Sequence, residues 1–136
     1  MKKELYSPEM AAERVRRALA IAKKKGIPDF VVNARCDVLV QGGKLEEVLL
    51  RGKQYIAAGA TTVFVWGGKR GVSRQEVQTM VNEFDGRLNV MLVMQPHGLG
   101  VAQLRELGVA RISVGPQIQM KAMEAFAREA EKILTA

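Results

Sequence analysis

LEEVLLRGKQYIAAGATTVFVWGG, residues 45–68, sets the fold class. Leu45, Val48, Leu49 and Ile56 recur at helical spacing, so the stretch opens as an amphipathic helix over about Leu45 to Ala58. Gly59 ends it in the position where a helix turns left-handed. Three residues later Thr62–Trp66 is a short, unbroken β-branched and aromatic run, the pattern of a strand buried on both faces. Helix, glycine and buried strand thus follow one another with no room for a linker.

The same unit recurs outward in both directions. Strand-like runs appear at Phe30–Asn33, Leu88–Met94 and Ala110–Val114. Gly26, Gly86 and Gly108 stand before them as Gly59 stands before Thr62. The first helix begins at Ser7-Pro8-Glu9, an N-cap, a first-turn proline and an acid at the positive dipole end. Its apolar side is Ala11, Val15, Ala18, Leu19 and Ala22. Ser73-Arg74-Gln75-Glu76 is a capping box, with Val77, Met80, Val81 and Phe84 behind it. A short helix covers about Ala102 to Leu107. The last runs from about Gln119 to Leu134, and its pattern turns Met123, Phe126, Ala127, Ala130 and Ile133 inward. The order αβαβαβαβα predicts four parallel strands in sequential order with right-handed crossovers, in one domain spanning residues 1–136.

Composition bounds the partners. The 136 residues are 48% hydrophobic and 26% charged, a globular balance, with a net charge of +7 that favours anionic partners. The longest basic run, Lys23-Lys24-Lys25, sits at a helix end, where it complements the dipole. One Trp, two Tyr and four Phe leave few rings for stacking bases, and no nucleic-acid partner is expected. Nor is a membrane partner, because no apolar run approaches a span. The single cysteine excludes an internal disulfide framework and, with no secretory signal visible, points to the cytoplasm.

Parallel α/β folds collect their chemistry in the loops after the strands. Four segments qualify. Arg35-Cys36-Asp37 offers a guanidinium fork that either binds a carboxylate or phosphate, or pairs with Asp37. Cys36 lacks a nearby histidine and reads as a buried small residue. Trp66-Gly67-Gly68-Lys69-Arg70-Gly71 is a basic lid or a solvated turn, without P-loop spacing, and Trp66 fills space or walls a pocket. Gln95-Pro96-His97-Gly98 is turn chemistry holding the only His, which leaves no zinc-ligand pattern. Ser113-Val114-Gly115-Pro116-Gln117 leads into the last helix and either cradles an anion with backbone N–H groups or simply turns.

VVNARCDVL (31–39), the opening stretch, RLNVMLV (87–93) and LGVARISVGP (107–116), in that order, resemble the isocitrate lyase / phosphoenolpyruvate mutase superfamily, and within it the phosphonomutase-like and 2-methylisocitrate-lyase-like branch. The resemblance implies half of a TIM (β/α)8 barrel, corresponding to strands five to eight of the family barrel. It implies lyase or phosphonomutase chemistry at C–C or P–C bonds of a small 2-oxo or 2-hydroxy carboxylate or phosphonate. It also implies Mg2+, but the family's metal-binding acids and closing loop belong to the other half-barrel and map onto no residue here.

By the same resemblance Arg35 is the anion-binding arginine and Asp37 the acid two places on. Cys36 replaces a usual Thr. Trp66 stands where lyases carry Glu and the mutase His, and Met91 and Val93 replace polar residues. The substrate-anion site is therefore expected at Arg35, Asp37, Ser113 and Gly115, with no catalytic residue identified. Two readings follow: a partial enzyme inactive alone, or a non-catalytic half-barrel scaffold with a residual anion site. Either is expected to form a homodimer or other homo-oligomer, because an open half-barrel exposes two strand edges and an inner face carrying Val32, Phe64 or Val65, Val90 or Met91, and Ile112 or Val114.

Overall fold

The computed structural model describes residues 4–96 and 98–135. Four strands, β1 (Asn33–Cys36), β2 (Thr62–Val65), β3 (Leu88–Met91) and β4 (Arg111–Ser113), form one sheet in the order β1-β2-β3-β4. Every neighbouring pair is parallel. Helices α1 (Pro8–Lys24), α2 (Leu45–Ala57), α3 (Arg74–Glu83), α4 (Val101–Glu106) and α5 (Gln117–Leu134) precede, link and follow them. Four parallel strands in sequential order are what the alternation predicts, and they match the half-barrel that the family resemblance implies.

The local signals act as their chemistry dictates. Ser7 Oγ accepts from Met10 N at 3.2 Å and caps α1. At α3 the capping box closes both ways: Glu76 N donates to Ser73 Oγ at 3.2 Å, and Ser73 N donates to Glu76 Oε2 at 2.8 Å. Gly59 adopts φ +100°, a backbone conformation that side-chain-bearing residues rarely take, so the turn requires glycine. Gly26, Gly86 and Gly108 also hold positive φ at the three equivalent returns.

The core lies between the helices and one face of the sheet. Ala34, Cys36, Val63, Val65, Leu88 and Val90 alternate onto that face and pack with Val48, Tyr55, Val77, Met80, Phe84 and Leu104. In α2, Gly52 lets the Phe84 ring lie against the helix backbone. Arg35, Phe64, Asn89 and Arg111 lie on the opposite face of the sheet.

Four expectations need correction. β1 begins at Asn33, not Phe30, because its register is set by β2: Asn33 pairs with Thr62 and Cys36 with Val65. Phe30 and Val31 are β-branched or aromatic but exposed, and Arg35 and Cys36 lie inside the strand rather than beyond it. On α1, Ala12 is buried, and Ala18 is exposed along the groove beside β1 rather than buried in the core. The open face is only in part the apolar face expected: Phe64 and Met91 lie on it, but Val65 and Val90 point to the helices, and Asn33, Thr62, Asn89 and Ser113 make the rest of it polar. Finally, α5 has no buried residue, so Met123, Phe126, Ala127, Ala130 and Ile133 do not face a core. A crossover helix seats itself across two adjacent strands, and β4 is an edge strand among the described residues, which leaves α5 half a seat. No helix of the described residues is long and apolar enough to cross a membrane.

Candidate functional site

Strand residues paired in a parallel sheet point to the same side. The register therefore builds the open face in rows. Arg35, Phe64, Asn89 and Arg111 form one row. Asp37 and Trp66 lie one step beyond on β1 and β2, where Met91 and Ser113 are paired on β3 and β4.

At the β1 end, Arg35 Nε donates to Asp37 Oδ1 at 2.7 Å. The guanidinium carbon lies 4.5 Å from the centre of the Trp66 ring and 5.6 Å from that of Phe64. An exposed ion pair of this kind is worth about 0–1 kcal/mol and a cation–π contact about 0.5–1 kcal/mol. Their effect is orientation rather than stability. Among the described residues neither Nη of Arg35 has a hydrogen-bond partner. A groove of about 430 Å³ runs along the β1 edge, lined by Arg35 and Asp37 together with Arg14, Arg51 and Tyr6. Arg51 is occupied, donating to Glu47 Oε1 at 2.8 Å and to the Tyr6 carbonyl at 2.7 Å.

At the β3–β4 end the chemistry is neutral and closed. Asn89, fully buried, donates through Nδ2 to Ser113 Oγ at 2.9 Å, while Ser113 Oγ lies 3.2 Å from Asn89 Oδ1. Gly115 lies against Met91, whose sulfur a Cβ would approach to 3.3 Å. Ser113 and Arg35 stand on strands β4 and β1, about 14 Å apart by ordinary strand spacing. The structure thus brings Arg35 and Asp37 into contact and places Ser113 and Gly115 on the same face at the other edge, not in one cluster with them.

The remaining candidates sort themselves. Burial pushes the Cys36 thiol up, and the residue is 1% exposed, which makes it packing rather than a nucleophile. Gly68–Arg70 form a single 3-10 turn, and Arg70 is spent on Glu76 through two contacts of 3.1 and 2.9 Å, so this loop is a turn tied to α3. His97 lies outside the described residues. The residues missed from sequence are Asn33, whose Oδ1 accepts from Thr62 Oγ1 at 2.7 Å, and Asn89. Their signal was available: each is a polar residue set in a strand in phase with Arg35 or Met91.

Mg2+ needs several hard oxygen donors. Among the described residues no group of three or more His, Cys, Asp or Glu side chains stands together, and Asp37 already accepts from Arg35. These residues do not fit the ion, and no step is routed through it.

Comparison with known proteins gives the geometry its context. The chain is similar to two uncharacterized proteins of Mycobacterium tuberculosis, from strains CDC 1551 / Oshkosh and H37Rv. Each is 32% identical over 114 residues, 82% of this chain and 40% of the relative. Among solved structures it resembles a candidate phosphonomutase of Burkholderia cenocepacia J2315, with TM-score 0.81, 32% identity, and coverage of 95% of this chain and 52% of that one. It also resembles 2,3-dimethylmalate lyase, a PEP mutase/isocitrate lyase superfamily member, with TM-score 0.79, 27% identity, and coverage of 99% and 46%. Phosphonopyruvate hydrolase, solved with oxalate and Mg++, shares the fold at TM-score 0.75 and 23% identity, over 99% of this chain and 46% of that one. The chain spans about two fifths of the length of the curated relatives it matches. Residues 1–134 match the family described as phosphoenolpyruvate phosphomutase, and with four parallel strands in the order of that barrel's half, the chain belongs to this family.

Proposed function

We propose that the chain is the anion-binding half of a phosphoenolpyruvate mutase/isocitrate lyase-type barrel, taking a small carboxylate, phosphonate or phosphate on Arg35. The observation that carries this reading is the state of that arginine: held by Asp37 on one nitrogen, laid on Trp66, with both Nη groups unpartnered on the open face. A planar fork so presented suits two oxygens of one anion. The oxalate in the hydrolase structure is a ligand of this kind. Asp37 acts by fixing the fork. Ser113 and Gly115 extend the same face for the far end of a longer ligand.

In this reading the 136 residues work as one half-barrel domain in the cytoplasm, partial as an enzyme and inactive alone. Mg2+ chemistry belongs to a complete barrel, because the described residues gather no donor set. A second reading, a non-catalytic scaffold that keeps the anion site, draws support from Trp66: an indole at the end of β2 neither gives nor takes a proton. Both readings include self-association. The support is α5, whose Ile118, Met120, Met123 and Phe126 are all exposed, together with unpaired edges at β1 and β4.

Titration calorimetry with oxalate and inorganic phosphate tests the site. Wild type should bind, and Arg35→Ala should lose about tenfold or more, since hydrogen bonds to a charged group contribute about 1.5–3 kcal/mol. Equal affinity for the two proteins refutes the assignment. A Mg2+-dependent turnover screen over 2-methylisocitrate, oxaloacetate and phosphonopyruvate tests both readings at once, because turnover by this chain alone contradicts both.

A further inference from the structure

We infer that Trp66 is the positioning residue of this anion site: its indole face holds the Arg35 guanidinium flat, so that the Nη edge is presented to ligand. The inference rests on the anion-binding reading above. Three groups surround the guanidinium. Asp37 takes Nε at 2.7 Å, Trp66 lies 4.5 Å from the guanidinium carbon, and Phe64, 9% exposed, lies 5.6 Å away. Asp37 alone fixes one nitrogen and leaves rotation about it. An aromatic face removes that rotation, because a guanidinium gains most by lying parallel to the ring and keeps its in-plane N–H groups free for acceptors. Arg35 is on an edge strand and half exposed, so without the ring its long side chain would sample many rotamers. Ordering it in advance removes that entropic cost from the binding step.

The backbone makes this arrangement independent of ligand. Trp66 N donates to the Cys36 carbonyl at 3.4 Å, which continues the β1–β2 ladder one residue beyond the strands. The backbone that carries the indole is therefore tied to the strand that carries Arg35. Trp66 is also the only tryptophan in the chain, so its emission reports on this one site.

The test compares oxalate binding by calorimetry for wild type, Trp66→Leu, Trp66→Phe and Arg35→Ala, each checked for an unchanged melting temperature. Trp66→Leu keeps an apolar side chain but removes the π face and should weaken binding about fivefold, while Trp66→Phe should stay within about twofold of wild type. A merely space-filling Trp66 predicts the two variants to be alike. If Trp66→Leu binds as wild type does while Arg35→Ala loses binding, the positioning role is overturned and the anion site stands. If wild type shows no binding, or Arg35→Ala binds as tightly, the anion reading falls and this inference with it. Should Trp66→Leu fail to fold, wild-type emission decides: oxalate must change the Trp66 signal along the calorimetric isotherm, and a flat signal overturns the role.

Discussion

Helices α1 and α5 bound the same sheet at opposite ends of the chain and are nearly equal in length, 17 and 18 residues. Both are amphipathic. α1 buries Ala12, Val15 and Ala22 and packs along α2, whereas α5 buries nothing. The difference is not in the helices' own patterns but in what stands beside them. α1 lies against a neighbouring helix, α2. α5 follows the edge strand and finds no second strand to bridge. An apolar stripe is a demand for a partner, and the fold decides whether the chain itself supplies one.

The most damaging way to probe the satisfied side is Phe84→Ala. This ring is 1% exposed and packed against Gly52, and its loss should cost roughly 3–5 kcal/mol in chemical denaturation. A cost near zero would mean that the helix layer is as loosely seated as α5. Next in size is Asn89→Ala, which strands Ser113 on the open face without its partner and should cost about 1–3 kcal/mol. Asn89→Asp should also destabilise near neutral pH, by burying a charge.

Glu76→Gln should cost about 1 kcal/mol near neutral pH by weakening the α3 cap. It carries a pH signature. Hydrogen bonds from Arg70 hold the Glu76 carboxyl below its ordinary value, so its stabilisation is present above the unfolded pKa and is lost as pH falls through the folded one. The variant should therefore lose less stability than wild type between neutral and acid pH. Equal slopes would show that the Arg70 pair does not persist in solution.

The smallest effect on folding belongs to α5. Phe126, 69% exposed, should change unfolding free energy by no more than about 0.5 kcal/mol when cut to Ala. The same variant should weaken self-association in light scattering. Loss of folding stability in a species at the monomer mass would break the comparison by showing that α5 packs on its own sheet.

Much of the fold was legible before any coordinates. The caps at Ser7 and Ser73 and the returns at Gly26, Gly59, Gly86 and Gly108 depend on local backbone chemistry, and local chemistry is written residue by residue. Arg35 and Asp37 were legible as neighbours for the same reason, being two residues apart in the chain. The start of β1, the polar character of the open face and the exposure of α5 were not. A strand's register depends on its partner, so Phe30 and Val31 look like strand and yet lie outside it. A residue's face depends on that register, which put Val65 and Val90 on the helices and Asn89 on the open side. The stacking of Arg35 on Trp66 joins residues 31 positions apart, and only the pairing of β1 with β2 brings them together. The sequence by itself determined where the helices are capped and where the chain returns to the sheet; the tertiary structure decided where β1 begins and which side chains meet, because register and non-local contacts are fixed by pairing and packing rather than by neighbours along the chain.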